Sequence, residues 1–361
     1  MKPSFLFFLL IFAALGCSKA PEGFEKFSID APARNFRYYA EAGKAAYLKG
    51  GGMRKTFFEI VDLRAHKKQA LHIENYIIGN AAELLAGGQA LLSTNYTTPQ
   101  IRQAHVLRIN CANRKKTGDY LFPDEAPVQL IRQSEGGGKV YILMQTQKSP
   151  EQIYMKTFDP QTQNFSDSEM LVSASLSRTL FLKSRPLLVL DAAKMKTYTL
   201  LIYDLEKRAH VFDLETSSPS RALIETKDGR IFGLFESPGD TKSKLMELDL
   251  EKKELRLTAA LDGTGETLLA VDRSFYIAVK DTERASEQKK YWLHPRNLMK
   301  VNIDTGMQDG KIDWTERAGE FVGFNEETRQ IYFAVTDADA PALWTIDASP
   351  ETLARVKDVI K

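Results

Sequence analysis

The side chains best suited to chemistry are sparse in this sequence, and their spacing excludes several familiar sites. No two histidines form an H-x-x-x-H or H-E-x-x-H pair, so there is no metalloprotease motif. Neither a G-x-S-x-G nucleophile elbow nor a P-loop is present. The two cysteines, Cys17 and Cys111, predict neither a metal-binding thiolate cluster nor a structural disulfide. The five histidines are His66, His72, His105, His210 and His294.

Five aspartates lie in or shortly after compact apolar runs, so they would share one face if those runs are equivalent strands. They are Asp191, Asp240, Asp281, Asp337 and Asp339. Converging carboxylates could bind a hard cation through oxygen ligands and serve a hydrolase or lactonase. Aspartate is also a common turn residue, and that structural interpretation is the stronger one. We therefore treat the five as weak metal candidates and expect no cofactor.

The stretch "KDTERASEQKKYWLHPRN", residues 280–297, is charged at its start and aromatic at its end. Tyr291, Trp292, His294 and Arg296 fall close together there. Trp, Tyr and Arg are the residues that most often anchor protein interfaces, and long loops frequently carry function. The segment is a candidate for binding a partner. The alternative, which is the stronger interpretation, is that Trp292 begins a lengthened strand and packs between repeated units.

The N-terminus carries the features of a targeting segment. Lys2 precedes an apolar run from Ser4 to Leu15, which is shorter than the roughly 20 residues that span a bilayer. The run ends at Gly16 and Cys17. This arrangement resembles the lipobox of bacterial lipoproteins, which implies a signal peptide over residues 1–16, acylation of the Cys17 thiol and a linker over residues 17–23. Ordinary secretory cleavage near Ser18 to Ala20 is the alternative.

Two series of short segments recur seven times along the chain. In the first, a β-prone segment ends in Asp or Asn before a polar turn, at intervals of 45 to 53 residues. These residues are Asp62, Asn110, Asp159, Asp204, Asp249, Asn302 and Asp347. In the second, a compact apolar run precedes each of them, with starts 44 to 56 residues apart. The runs begin at Ala45, Ala90, Val140, Leu187, Ile231, Phe275 and Ile331. The period predicts a repeated β-sheet unit of about 45 residues.

A sheet of this size cannot bury both faces alone, whereas sheets stacked radially can. The predicted fold is all-β, a seven-bladed β-propeller of four-stranded antiparallel blades over residues 24–361. The pattern resembles the broad lactonase-like, quinoprotein-like and WD40-like propeller group. The Trp-Asp dipeptide of WD40 blades and the Gly and Trp docking repeat of quinoproteins are absent, and the chain has only three tryptophans.

The two ends of the chain are predicted to meet. Ser349 and Pro350 open "SPETLARVKDVIK" with an N-cap and first-turn signature, which indicates a helix. Blade seven would then lack its outer strand, and "FEKFSID" at Phe24–Asp30 could supply it. The alternative is that residues 352–360 form that strand themselves.

Composition narrows the function without naming it. The 361 residues are 43% hydrophobic, which is enough for a sizeable core. The net charge is only +2 and the two signs are interspersed, so the sequence shows no basic surface of the kind that binds nucleic acid. The expected function is a rigid protein-interaction platform, lipid-anchored in the bacterial cell envelope, whose partner is an envelope or extracellular protein. Ser18 after the cysteine resembles the outer-membrane sorting signal. The alternatives are a lactonase- or lyase-type enzyme with a divalent cation, and a sensor for a small molecule or glycan.

Overall fold

Each repeat of about 45 residues folds into one antiparallel sheet, and seven such sheets form a β-propeller. The computed structural model describes residues 22–50, 56–72, 77–95, 105–122, 127–134, 137–146, 150–194, 197–236, 242–281, 295–315, 317–336 and 340–360. The predicted fold class is confirmed. Blade three alone departs from four strands, because two short strands share its outer position.

The strands follow one another blade by blade from the inside outward. Blades one and two comprise β2 (Ala33–Tyr39), β3 (Lys44–Gly50), β4 (Thr56–Asp62), β5 (Lys67–Leu71), β6 (Ile77–Leu85), β7 (Gln89–Asn95), β8 (His105–Asn110) and β9 (Lys115–Leu121). Blades three and four comprise β10 (Val128–Gln133), β11 (Val140–Gln145), β12 (Ile153–Asp159), β13 (Asn164–Phe165), β14 (Glu169–Val172), β15 (Ser175–Phe181), β16 (Leu187–Lys194), β17 (Thr197–Asp204) and β18 (Ala209–Thr216). Blades five to seven comprise β19 (Ser220–Glu225), β20 (Ile231–Glu236), β21 (Ser243–Asp249), β22 (Glu254–Ala260), β23 (Thr264–Val271), β24 (Ser274–Lys280), β25 (Arg296–Asn302), β26 (Gln308–Thr315), β27 (Gly319–Asn325), β28 (Gln330–Val335), β29 (Ala342–Asp347) and β1 (Phe24–Ser28).

The seven apolar runs are the second strands of the blades, as predicted. Five consecutive residues of β11, from Val140 to Met144, are buried, because neighbouring blades cover both faces of the sheet. The core therefore lies between blades rather than within one. At the junction of blades five and six, for example, the Phe232 and Phe275 rings meet edge to face with centroids 4.7 Å apart.

The seven recurring Asp and Asn residues end the third strands and cap the turns that follow, which confirms their predicted role. Asp249 shows the pattern: its Oδ1 accepts hydrogen bonds from the Glu251 and Lys252 amides at 3.1 and 2.9 Å. Lys253, four residues after Asp249, has a φ of 56° and directs the chain into the outer strand. Equivalent bonds to the amides two or three residues on are made by Asp62, Asn110, Asp159, Asp204, Asn302 and Asp347.

The ring closes through the N-terminal strand. The chain ends in two short helices, α1 (Pro350–Ala354) and α2 (Val356–Val359), and the Ser349 side chain caps the first by accepting from the Thr352 amide. Blade seven consequently takes its outer strand from β1, which pairs antiparallel with β29 from Phe24 opposite Ile346 to Ser28 opposite Ala342. The predicted helix and the predicted closure by the Phe24 segment are both confirmed.

Side chains also join each blade to the inner strand of the next. An inner strand has an unpaired edge, and the backbone N–H groups along that edge need acceptors. At six junctions between blades, a side chain of the preceding blade accepts a hydrogen bond from one of these N–H groups at 2.5–3.1 Å. The acceptors are Tyr39, Glu83, Gln145, Asp191, Ser243 and Thr267. At the seventh junction, Asn325 Nδ2 donates to the Tyr38 hydroxyl at 2.8 Å. The blades are thus fixed to one another by polar contacts as well as by the core.

The turn carboxylates predict a specific loss of stability in acid. Backbone N–H groups hold the pKa of Asp159, Asp204 and Asp249 below the ordinary 3.8, so their contribution is complete above that value and is lost as the pH falls through the folded-state pKa. Replacing all three by Asn keeps the accepting oxygen and removes the titration. We expect a nearly unchanged melting temperature at pH 7 and a smaller fall between about pH 4 and pH 2.

The natural Asn residues at positions 110 and 302 provide the reciprocal control. Asn110→Asp together with Asn302→Asp is expected to steepen the same fall, measured by circular dichroism at several pH values. Identical acid profiles for all three chains would show that the turn carboxylates do not carry this pH dependence.

Candidate functional site

The first strands of the blades form the wall around the central axis. Contacts join β6 to β10, β15 to β19, β19 to β23, β23 to β27 and β27 to β2, so these strands lie side by side. We call the end that carries the connections from first to second strands the hairpin end. The opposite end, with the connections from second to third strands, is the loop end, where the sequence predicts binding.

Every inner strand carries a charged residue and a shift in register against its neighbour. The bulges lie within each first-to-second strand pair, and such bulges re-aim side chains. The charged residues are Arg34, Arg37, Glu83, Arg132, Arg178, Arg221, Glu225, Glu266 and Glu320. The inner strands therefore combine five guanidinium groups with four carboxylates.

Glu83 is the centre of a polar cluster near the hairpin end. Its side chain is 2% exposed and is ion-paired with Arg37 of blade one. The carboxylate also accepts from the Tyr39 hydroxyl at 3.4 Å and from the Gln133 amide of blade three at 3.1 Å. Arg37 Nη1 lies 3.5 Å from the Ile131 carbonyl oxygen, so its side chain reaches past blade two to blade three. This cluster ties three blades together.

Arg132 adjoins this cluster but makes none of its bonds. Its Nε is buried without a hydrogen-bond partner, and no hydrogen bond or ion pair from its guanidinium is found within the described parts of the chain. Burial and the nearby Arg37 cation lower the pKa of Arg132 to about 10, while Glu83 and Tyr39 oppose that change. The group is still protonated at neutral pH. Arg132 is thus a charged donor with no acceptor.

At the loop end, Asp191 has a structural role. It lies in β16 with 0% exposure, and its Oδ2 accepts from the Ser220 amide and hydroxyl at 2.5 and 2.6 Å. Burial raises the pKa of Asp191, while the two bonds from Ser220 oppose that rise. Its other oxygen, Oδ1, is buried without a partner. Asp191 joins blade four to blade five.

The other aspartates do not assemble a cation site in the part of the chain that is described. Asp281 Oδ2 accepts from Asn297 Nδ2 at 3.1 Å, across the ends of β24 and β25. Asp240, Asp337 and Asp339 lie outside the described residues. Among the residues described, no group of three or more His, Cys, Asp or Glu side chains is placed to hold a metal ion. The cation-dependent enzyme stays a prediction.

Of the predicted binding residues, only Arg296 is described; Tyr291, Trp292 and His294 lie outside the described residues. Arg296 is the first residue of β25 rather than part of the connection, and its side chain is 6% exposed. It forms an ion pair with Glu266 of the inner strand β23. Arg296 therefore fixes the base of the blade-six connection.

The sequence did not single out Arg37, Tyr39, Glu83 or Arg132. A signal was present, because each apolar run is preceded 7 to 11 residues earlier by at least one charged residue. That regularity places a charge on every inner strand. It does not show which charges are paired, since the partners come from other blades.

Comparison with known proteins supports the fold. No protein-family model and no curated protein matches the chain. The β-propeller domain of Cps50 (Swd1) from Myceliophteria thermophila is similar with a TM-score of 0.60 and 12% identity, covering 89% of this chain and 98% of that one. An oligogalacturonate lyase in complex with manganese has a TM-score of 0.63 at 10% identity, covering 91% and 97%. The oligogalacturonate lyase from Vibrio parahaemolyticus has a TM-score of 0.62 at 9% identity, and the match covers 91% of this chain and 97% of that one.

These similarities define the class of protein. The chain is a seven-bladed β-propeller, and its structural neighbours include a WD40-like propeller and lyase propellers. At these identities the likeness concerns the fold alone. Within the described residues, no helix is long and apolar enough to cross a membrane.

The ion pair at the base of the blade-six connection predicts a stability effect. Arg296→Ala leaves the Glu266 carboxylate without its cation and opens a gap, so we expect a loss of about 2 kcal/mol in the free energy of unfolding. Arg329→Ala is the matched control, because its pair with Asp272 is largely exposed and is worth about 1 kcal/mol or less. Chemical denaturation measures both. Equal losses would show that Arg296 has no special structural role.

Proposed function

We propose that this protein is a lipid-anchored binding protein of the bacterial cell envelope. Its propeller is a rigid platform, and the loop end presents the blade-six connection to another envelope or extracellular protein. The observation that carries the proposal is the construction of the base of that connection, where both ends are held by side chains.

Several contacts hold together the two described ends of the connection, at Asp281 and at residues 295–297. Asn297 Nδ2 donates a hydrogen bond to Asp281 Oδ2 at 3.1 Å, and the backbone N–H of Asp281 donates to the Pro295 carbonyl oxygen at 2.9 Å. Arg296 ties the same point to Glu266 of the inner wall. Because interface anchors bind more tightly when little order is lost on binding, a fixed base favours recognition by the aromatic residues Tyr291 and Trp292. The ring of inter-blade hydrogen bonds keeps the rest of the platform stationary.

The proposed location rests on the N-terminal sequence. The apolar run ends at Cys17, and an acylated cysteine would hold the propeller at a membrane through the short linker to β1. Several acyl chains anchor a protein stably, whereas one is marginal. With Ser18 following the cysteine, we propose the outer membrane as the destination in a Gram-negative cell.

The test is affinity capture from native envelopes with the tagged full-length chain. Tyr291→Ala combined with Trp292→Ala is expected to reduce capture of a specific partner at least tenfold, because these rings supply the anchoring contact area. Ser286→Ala combined with Gln288→Ala changes the same segment without touching the aromatic residues. That control is expected to capture the partner as the unchanged chain does. Arg296 is left intact, since its loss would disturb the fold.

Two results would reject the proposal. The first is undiminished capture by the aromatic double variant, with circular dichroism showing that it is folded. The second is an unchanged membrane fraction for a Cys17→Ala chain, because loss of the acylation site is expected to release the protein from the membrane.

A further inference from the structure

Arg132 is the exception among the arginines of the inner wall that the structure describes, because no hydrogen bond from its guanidinium is found. Arg37 pairs with Glu83, Arg221 with Glu236, and Glu266 with Arg296. Arg178 donates to the Arg221 carbonyl at 3.2 Å and lies within electrostatic reach of Glu320. Arg132 has no hydrogen-bond or ion-pair partner in any described segment.

The available carboxylate is already in use. Glu83 is in electrostatic contact with Arg132 but accepts its bonds from Arg37, Tyr39 and the Gln133 amide. Two guanidinium groups against one carboxylate leave the cluster with one excess positive charge. The Nε of Arg132 is buried, whereas the residue as a whole is half-buried. An anion that bonds to Nε would therefore satisfy a buried donor for which the described part of the fold supplies no acceptor.

We infer that the hairpin end of the inner wall holds a binding site for a small carboxylate-bearing molecule, centred on the Arg132 guanidinium. A guanidinium offers donors in a planar fork that matches the two oxygens of a carboxylate, and the unpartnered Nε is one side of such a fork. One negative charge neutralises the excess, whereas a dianion would overcompensate it beside Glu83. The chemistry therefore favours a monocarboxylate over phosphate or sulfate.

The position of the cluster agrees with a ligand that enters along the axis. Arg132 belongs to blade three, yet the groups that act on it, Arg37, Tyr39 and Glu83, belong to blades one and two. Its guanidinium consequently lies on the axial side of the inner strands. Arg132 is the penultimate residue of β10, next to the hairpin end. The site is at the opposite end from the proposed protein-binding connection and does not rest on that proposal.

The test measures thermal unfolding of the purified chain at constant ionic strength with monocarboxylates and their uncharged counterparts. The pairs are acetate with acetamide, lactate with lactamide, and D-galacturonate with D-galactose. At least one carboxylate is expected to raise the melting temperature saturably, because ligands that bind only the folded state stabilise it. Its uncharged counterpart is expected to have no effect.

Two variants separate binding from general stability. Arg132→Gln is expected to weaken the carboxylate effect at least tenfold, because it removes the guanidinium donors. The melting temperature of the ligand-free chain is expected to change little, since Arg132 makes no hydrogen bond or ion pair in the described residues. Arg221→Gln, on another inner strand, breaks a pair with Glu236. It is expected to lower the melting temperature and keep the carboxylate response.

Several results would overturn the inference. They are no carboxylate response beyond that of the uncharged counterparts, and an equal response in Arg132→Gln. A response to sulfate as strong as that to any monocarboxylate would reject the carboxylate assignment. None of these results depends on capture of a protein partner, so the two proposals fail separately.

Discussion

Pairing of β1 with β29 is the contact on which the rest of the propeller depends. Each blade buries its faces only against its neighbours, so an open ring would leave two blades half exposed. The chain ends in helices, and their residues Leu353 and Val356 are buried in the core around Trp344. The outer edge of blade seven is consequently filled by residues that precede blade one in sequence. This arrangement joins the two ends of the fold in one sheet.

Closure places seven inner strands around an axis, and their unpaired edges explain much of the polar chemistry there. Glu83 and Asp191 could be mistaken for catalytic carboxylates, because both side chains are buried. Each accepts a hydrogen bond from a backbone N–H of the next blade, so each has a structural role. After these groups are assigned, Arg132 remains as a half-buried cation whose Nε has no hydrogen-bond partner among the described residues.

The repeat period, the second strands, the capped turns and the closure could all be predicted from the sequence, because they are local patterns that recur seven times. The inter-blade contacts could not. The accepting groups differ in residue type, and no repeated motif marks them. They include the hydroxyl oxygens of Tyr39 and Thr267 and the side-chain oxygen Oε1 of Gln145. Arg296 also shows that contacts between distant residues are not visible in the sequence. It was predicted to contact a binding partner, and in the structure it is ion-paired with Glu266, which lies 30 positions earlier in the chain.

The fold therefore offers two separate places for function, the connection at the loop end and the unpaired guanidinium at the hairpin end, and both require a closed ring. Hydrogen–deuterium exchange of the backbone amides at residues 24–28 tests closure most directly. The account predicts protection comparable to that of the partner strand at residues 342–347, since both are lost only when the blade opens. Exchange at the rate of an unstructured peptide, with residues 342–347 still protected, would contradict it.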